Sequence, residues 1–188
     1  KDDFIIVNEK YILRTGHFNL IKAFLEQIIE QVPEGHIGEY HIMDILRILD
    51  IDTDMGRHML IEIIQSNNKF FYNHKNDIVY YTSTNITKAD VAYIALKEIG
   101  KPVHYTEIGE KYMELTGDFT NKRLVLSYLD RHDGIVRVFT GIYGLKEWGC
   151  EEHTGLLELA IEVLEENQKI MHYMDIYEKI KDRTMAKP

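Results

Sequence analysis

Apolar residues recur at helical spacing in three stretches of the chain. Leu20, Phe24, Ile28 and Val32 form one stripe, predicting a helix over 19–31. Ala92, Leu96 and Ile99 form a second, over 89–99, with Thr87 as N-cap and Asp90 three residues later. Leu156, Leu159, Ala160, Val163 and Leu164 form a third, over 156–167. Other stretches alternate instead. In 135–148, Val136 and Val138 flank Arg137, Thr140-Gly141 supplies turn chemistry, and Tyr143 and Leu145 alternate on the return. That is a β-hairpin, ending at Trp148. Residues 70–83 and 4–14 read as two more versions of it.

These patterns repeat. Residues 91–112 match residues 159–180 without gaps at an offset of 68, sharing the phrase H-Y-x-[ED]-I-x-E-K. A more divergent copy lies at an offset of 66, placing Ile42 on Ile108, Arg57 on Arg123, Met59 on Val125 and Ile63 on Leu129. The unit is therefore about 66 residues long. The chain holds the closing hairpin of one unit (1–16), two full units (17–86 and 87–150), and the first two helices of another (151–188). Each full unit reads as helix 1, an extended link, helix 2 (40–49 or 106–115), helix 3 (54–65 or 120–131) and a hairpin. The last copy has helix 2 at 174–181. Helices closed by a hairpin make an α+β fold, and a helix running into a hairpin is the ending of a winged helix-turn-helix unit. The predicted architecture is a set of tandem winged-helix repeats.

Composition narrows the function classes. The chain has 188 residues, 45% hydrophobic, with no apolar run long enough for a membrane span and no signal-peptide pattern. One cysteine, Cys150, cannot form an internal disulfide, which points to a reducing, cytoplasmic setting. The first residue is Lys rather than Met, so the sequence reads as an excised or processed piece. Net charge is −9 and uneven. Residues 17–86 carry five basic and ten acidic groups (net −5), residues 87–150 nine of each (net 0), and residues 151–188 five and nine (net −4). An acidic chain does not suit broad nucleic-acid binding, because phosphate contacts need cations. A local basic face on the neutral second unit remains compatible with it.

No enzyme signature occurs: there is no P-loop, no G-x-S-x-G and no H-E-x-x-H. His36, His41, His132 and His153 have carboxylate neighbours but no metal-ligand spacing, so no metal or cofactor is expected. His104 and His172 recur at the start of helix 2 and read as local hydrogen-bonding groups. Tyr105, Tyr173 and the hairpin aromatics read as core. Helix 3 of the second unit carries the most chemistry. Val125, Leu126 and Leu129 should face the core, leaving Asn121, Lys122, Arg123, Ser127 and Arg131 towards solvent. Arg and Asn can read guanine and adenine edges in a major groove, and Lys suits phosphate. Arg137 and Lys146 on the hairpin would approach the backbone. Asp118, Asp130 and Asp133 make a solvated face of mixed charge the competing reading. In the first unit, helix 3 offers only Arg57 and His58 behind Asp50, Asp52 and Asp54, whose charge opposes phosphate.

Residues 87–149 resemble the HARE-HTH family of winged-helix modules, through ADVAYIALKEIGKPVHYTEI, an R-x-x-L-x-x-L-like helix, and the closing IVRVFTGIYGLKEWG. The G-x-Y-G-L-x-x-W phrase is the most specific part, and the first unit departs from it with Asp77-Ile78-Val79-Tyr80-Tyr81. That family occurs in chromatin proteins, restriction endonucleases, the delta subunit of bacterial RNA polymerase and sigma-like factors. The resemblance implies an intracellular, bacterial, non-catalytic DNA-binding or transcription-associated module. Two alternatives stand beside it: an interaction array docking onto RNA polymerase or another nucleic-acid enzyme, and an accessory region of a nuclease. The apolar stripe of 156–167 further implies packing onto the second unit, or a homodimer through the C-terminal helices.

Overall fold

The computed structural model describes residues 4–7, 11–118, 121–152 and 156–185. The chain is a mixed α+β protein with two cores, each built from three helices and a three-stranded antiparallel sheet. The first described element is a two-stranded antiparallel hairpin, β1 (Phe4–Val7) and β2 (Tyr11–Arg14), where the sequence reads as one. The first core is formed by α1 (Thr15–Glu30), β3 (Gly38–His41), α2 (Ile42–Ile48), α3 (Asp54–Gln65), β4 (Phe70–Asn73) and β5 (Ile78–Tyr81). The second is formed by α4 (Lys88–Ile99), β6 (Val103–His104), α5 (Tyr105–Thr116), α6 (Lys122–Leu129), β7 (Ile135–Phe139) and β8 (Ile142–Leu145). These sets are called the first and second units below. Strand order is β3-β5-β4 in one and β6-β8-β7 in the other, so in both the link after helix 1 pairs with the return strand of the hairpin. Two further helices follow, α7 (Leu156–Asn167) and α8 (Tyr173–Met185), which pack on each other around Val163 and Ile180.

The helix ends follow local chemistry. Thr87 forms a capping box with Asp90, each side chain accepting from the other residue's backbone N–H. Gly100 and Gly117 close α4 and α5 in the left-handed conformation. On α4, Ala92, Ala95 and Leu96 are buried; on α1 the buried face is Ile21, Leu25, Ile28 and Ile29, so of the expected stripe only Ile28 is fully inside, Leu20 is 51% exposed, Phe24 is half-buried and Val32 lies past the helix end. Removing each large side chain from water contributes roughly 1.5–3 kcal/mol.

Several boundaries differ from the sequence expectation. The N-terminal helix begins at Thr15, not residue 19. Tyr40 and His41 belong to a strand rather than to helix 2, because β3 finds partners in β5. The helix expected at 120–131 spans Lys122–Leu129, and Thr120 lies outside the described residues. The helix expected at 174–181 extends over Tyr173–Met185. Trp148 does not end a strand: β8 stops at Leu145, and a 3-10 turn, Lys146–Trp148, lays the half-buried indole against the second core.

The alignment of the two units also needs correction. Pairing sets His41 opposite Ile78 and His104 opposite Ile142, so His41, not a residue at an offset of 66, is the counterpart of His104. All three recurrent imidazoles cap a helix, as their Nδ1 atoms accept from Met43 N (3.3 Å), Thr106 N (3.5 Å) and Met174 N (3.3 Å). The offset shrinks here because α2 is shorter than α5. In helix 3 it returns to the expected value: Met59 and Ile63 are buried like Val125 and Leu129. Tyr173 overturns its core assignment, being 70% exposed. Its counterpart Tyr105 is half-buried against the second core, beside the hairpin to which its backbone N–H donates (Gly141 O, 2.8 Å), and no such hairpin follows α8 among the described residues.

Candidate nucleic-acid interface

The α6–hairpin region of the second unit gathers the residues expected to contact nucleic acid. Asn121 is the N-cap of α6, its Oδ1 accepting from Arg123 N at 2.9 Å. Its side chain is thus occupied at the helix start. Arg123 is exposed and has no side-chain partner among the described residues. The Lys122 side chain lies outside the described residues. Ser127, half-buried, donates to Leu124 O at 2.7 Å, so its hydroxyl is turned to its own helix. Arg131, just past the helix, and Lys146, at the start of the 3-10 turn, are exposed and without an ion pair among the described residues. Beneath them, Val125 and Leu129 anchor α6 in the core, whereas Leu126 is only half-buried.

Arg137 stands differently. Its Nη2 donates to Tyr143 Oη at 3.3 Å, its guanidinium lies 5.7 Å from the Tyr143 ring centre, and that hydroxyl donates to Asp130 Oδ1 at 3.2 Å. The Tyr143 hydroxyl and the carboxylates Asp130 and Glu152 raise the guanidinium above its ordinary range. Arg137, itself exposed, thus braces the tyrosine that ties the hairpin to the end of α6. The first unit builds a similar tie with the charges exchanged. There Arg57 on α3 donates to Asp77 Oδ1 at 2.6 Å, and Tyr72 Oη donates to the same oxygen at 2.6 Å. Arg57 is thereby neutralised where its counterpart Arg123 is not.

The turn phrase explains itself structurally. Gly141 has φ +74°, and a Cβ there would lie 2.7 Å from His104 Nε2. Gly144 faces Cys150, whose Sγ would sit 2.7 Å from an added Cβ. In the first unit Asp77 takes the place of Gly141, with φ +58°, a left-handed conformation that Asp tolerates. The register then sets Tyr80 where the second unit has Gly144. The phrase is replaced residue by residue rather than lost.

No family model, no curated protein and no solved structure matches this chain.

His132 fastens the end of α6 to α4. Its Nδ1 accepts from Gly134 N (3.0 Å), its Nε2 lies 3.5 Å from Asp90 Oδ1, and its ring stacks on Tyr93 at 4.5 Å. Among the described residues, no three His, Cys, Asp or Glu side chains could hold a metal, and no helix is long and apolar enough to cross a membrane. A recess of about 280 Å³ lies between Ile6 of β1, Phe18 and Leu25 of α1, and Ile63 of α3. Lys22 and Glu26 stand at it with opposite charge, and Ser66, also in its lining, donates its hydroxyl to Ile63 O at 2.7 Å. Two apolar side chains that the site reading did not single out are exposed in the second unit, Leu124 next to Arg123 on α6 (52%) and Phe139 near the hairpin tip (45%). Leu124 was legible as a break in the polar face of helix 3; the exposure of Phe139 depends on a bulge between Arg137 and Phe139.

Proposed function

We propose that the chain is a non-catalytic array of winged-helix units, 17–86 and 87–150, that serves transcription-associated or other DNA-linked machinery. In this reading 1–16 is the closing hairpin of a preceding unit and 151–188 the first helices of a following one. The recurrent order helix, strand, helix, helix, hairpin, with the same strand arrangement in both sheets, supports it. The second unit would contact duplex DNA by laying α6 in a major groove. The observation that carries this is the contrast between Arg123, exposed and without a side-chain partner among the described residues, and Arg57, ion-paired to Asp77. Arg123 would read a base edge, and Arg131 and Lys146 would meet phosphates. Titration of a labelled duplex at low salt tests it. Arg123→Ala should weaken binding by about 1–3 kcal/mol, and Arg131→Ala should chiefly reduce the salt slope by about one. Unchanged affinity in the double variant rejects the assignment.

A second reading has its own support. Leu124, next to Arg123 on α6, gives that helix an exposed apolar side chain that duplex DNA does not need. A protein partner, such as RNA polymerase or another nucleic-acid enzyme, would use it. Loss of partner binding in Leu124→Ser with DNA affinity intact would favour that reading.

A further inference from the structure

The first unit's hairpin is held against the second unit. Glu98, near the end of α4, is 11% exposed and accepts hydrogen bonds from two amides, a phenol and an ammonium. Asn73 Nδ2 donates to its Oε1, as do Asn76 Nδ2 (2.9 Å) and Tyr80 Oη (3.1 Å), all from the hairpin β4–β5. Lys111 Nζ of α5 lies 3.0 Å from its Oε2. Two outer ion pairs flank this centre, Lys75–Glu114 at 2.6 Å and Lys97–Glu39 at 3.0 Å, and both cross between the units. Phe71 of β4 and Ile86 of the connecting segment pack against the second core. Burying Asn73, 3% exposed, and a carboxylate is costly unless each finds partners, and here each does.

The residues that make this contact are those in which the two hairpins differ. By strand register, Asn73 corresponds to Phe139 and Tyr80 to Gly144. Phe139 is exposed, while Gly144 faces Cys150 of its own unit. We propose that the outer face of α4 and α5 is a receptor for the first unit's hairpin. Glu98 is its central positioning residue, fixing the angle between the units and withdrawing that hairpin from any ligand. This joint stands independently of what the second unit binds.

Residual dipolar couplings on the full chain test the proposal. In the wild type both units should share one alignment tensor and tumble with a correlation-time ratio near one. Glu98→Ala should give two tensors while amide protection around Leu60 and Leu96 persists. Glu98→Gln, which keeps the Oε1 acceptor, should retain one. Should Glu98→Ala fail to fold, Asn73→Ala with Asn76→Ala opens the same joint from the other side. Two tensors in the wild type would overturn the proposal, as would a single tensor in every folded alanine variant. A several-fold loss of duplex affinity in Asn76→Ala with the single tensor kept would also overturn it, because the hairpin would then be touching the ligand.

Discussion

Arg57 on α3 and Asp77 in the hairpin of the first unit form an ion pair, 2.6 Å from Nη2 to Oδ1. Asp77 also sits at the left-handed turn position, so one residue supplies both the backbone bend and the carboxylate. Asp77→Gly keeps the bend and frees Arg57, whereas Asp77→Val loses both. The valine should cost roughly 1–2 kcal/mol more than the glycine in urea unfolding, from the β-branched side chain at positive φ.

Acid should destabilise the fold through three carboxylates. The Tyr72 hydroxyl and then Arg57 hold Asp77 below its ordinary range, and Lys75 and Lys111 do the same for Glu114. Burial pushes Asp90 up, but bonds from His132 and Thr87 outweigh it and the net shift is downward. A carboxylate depressed in the folded state contributes stability above its unfolded value, about 4, and loses it as pH falls through the folded value. Urea midpoints should be level from about pH 7 to 5 and decline steadily below about pH 4. Asp90→Asn should flatten the decline; an unchanged slope would refute the role given to Asp90.

Gly144 is set by space rather than by backbone angle, because its added Cβ would stand 2.7 Å from Cys150 Sγ and 3.0 Å from Val138 Cγ2. Gly144→Ala should destabilise the second unit by about 1–3 kcal/mol. Adding Cys150→Ala should restore part of that loss, a coupling that a double-mutant cycle reads directly.

Leu96 and Leu124 separate folding from recognition. Leu96 is fully buried and Leu124 is 52% exposed. Leu96→Ala should cost about 2–5 kcal/mol, and Leu124→Ala should stay within about 0.5 kcal/mol. A large stability loss in Leu124→Ala would mean that this side chain serves the core.

The α7–α8 pair should be the least protected helical region. Val163 and Ile180 are buried between the helices, but Leu164 and Tyr177 are exposed. The stripe expected to pack onto the second unit or onto a second molecule is covered only in part within this chain, and the Leu156 side chain lies outside the described residues. Hydrogen exchange over 156–167 should be slower than in a free peptide and faster than over Lys88–Ile99. Exchange equal to a free peptide would show that the pair does not form.

Local chemistry was legible in the chain by itself. The stripe Ala92, Leu96 and Ile99, the Thr87–Asp90 cap and the hairpin 135–148 depend on spacing and turn residues that act within a few positions. The face of α6 carrying Arg123, and the burial of Val125 and Leu129, follow from the same periodicity. What tertiary structure alone decided is which polar groups meet. Tyr40 and His41 became strand because β5 was there to pair with them. Arg137 was drawn to Tyr143 and Asp130, and Arg57 to Asp77, leaving Arg123 to solvent. Glu98 gathers donors from more than ten positions away, which no local pattern encodes. Side chains of the same type end up paired or unpaired according to the elements packed beside them, and that packing is a property of the whole fold.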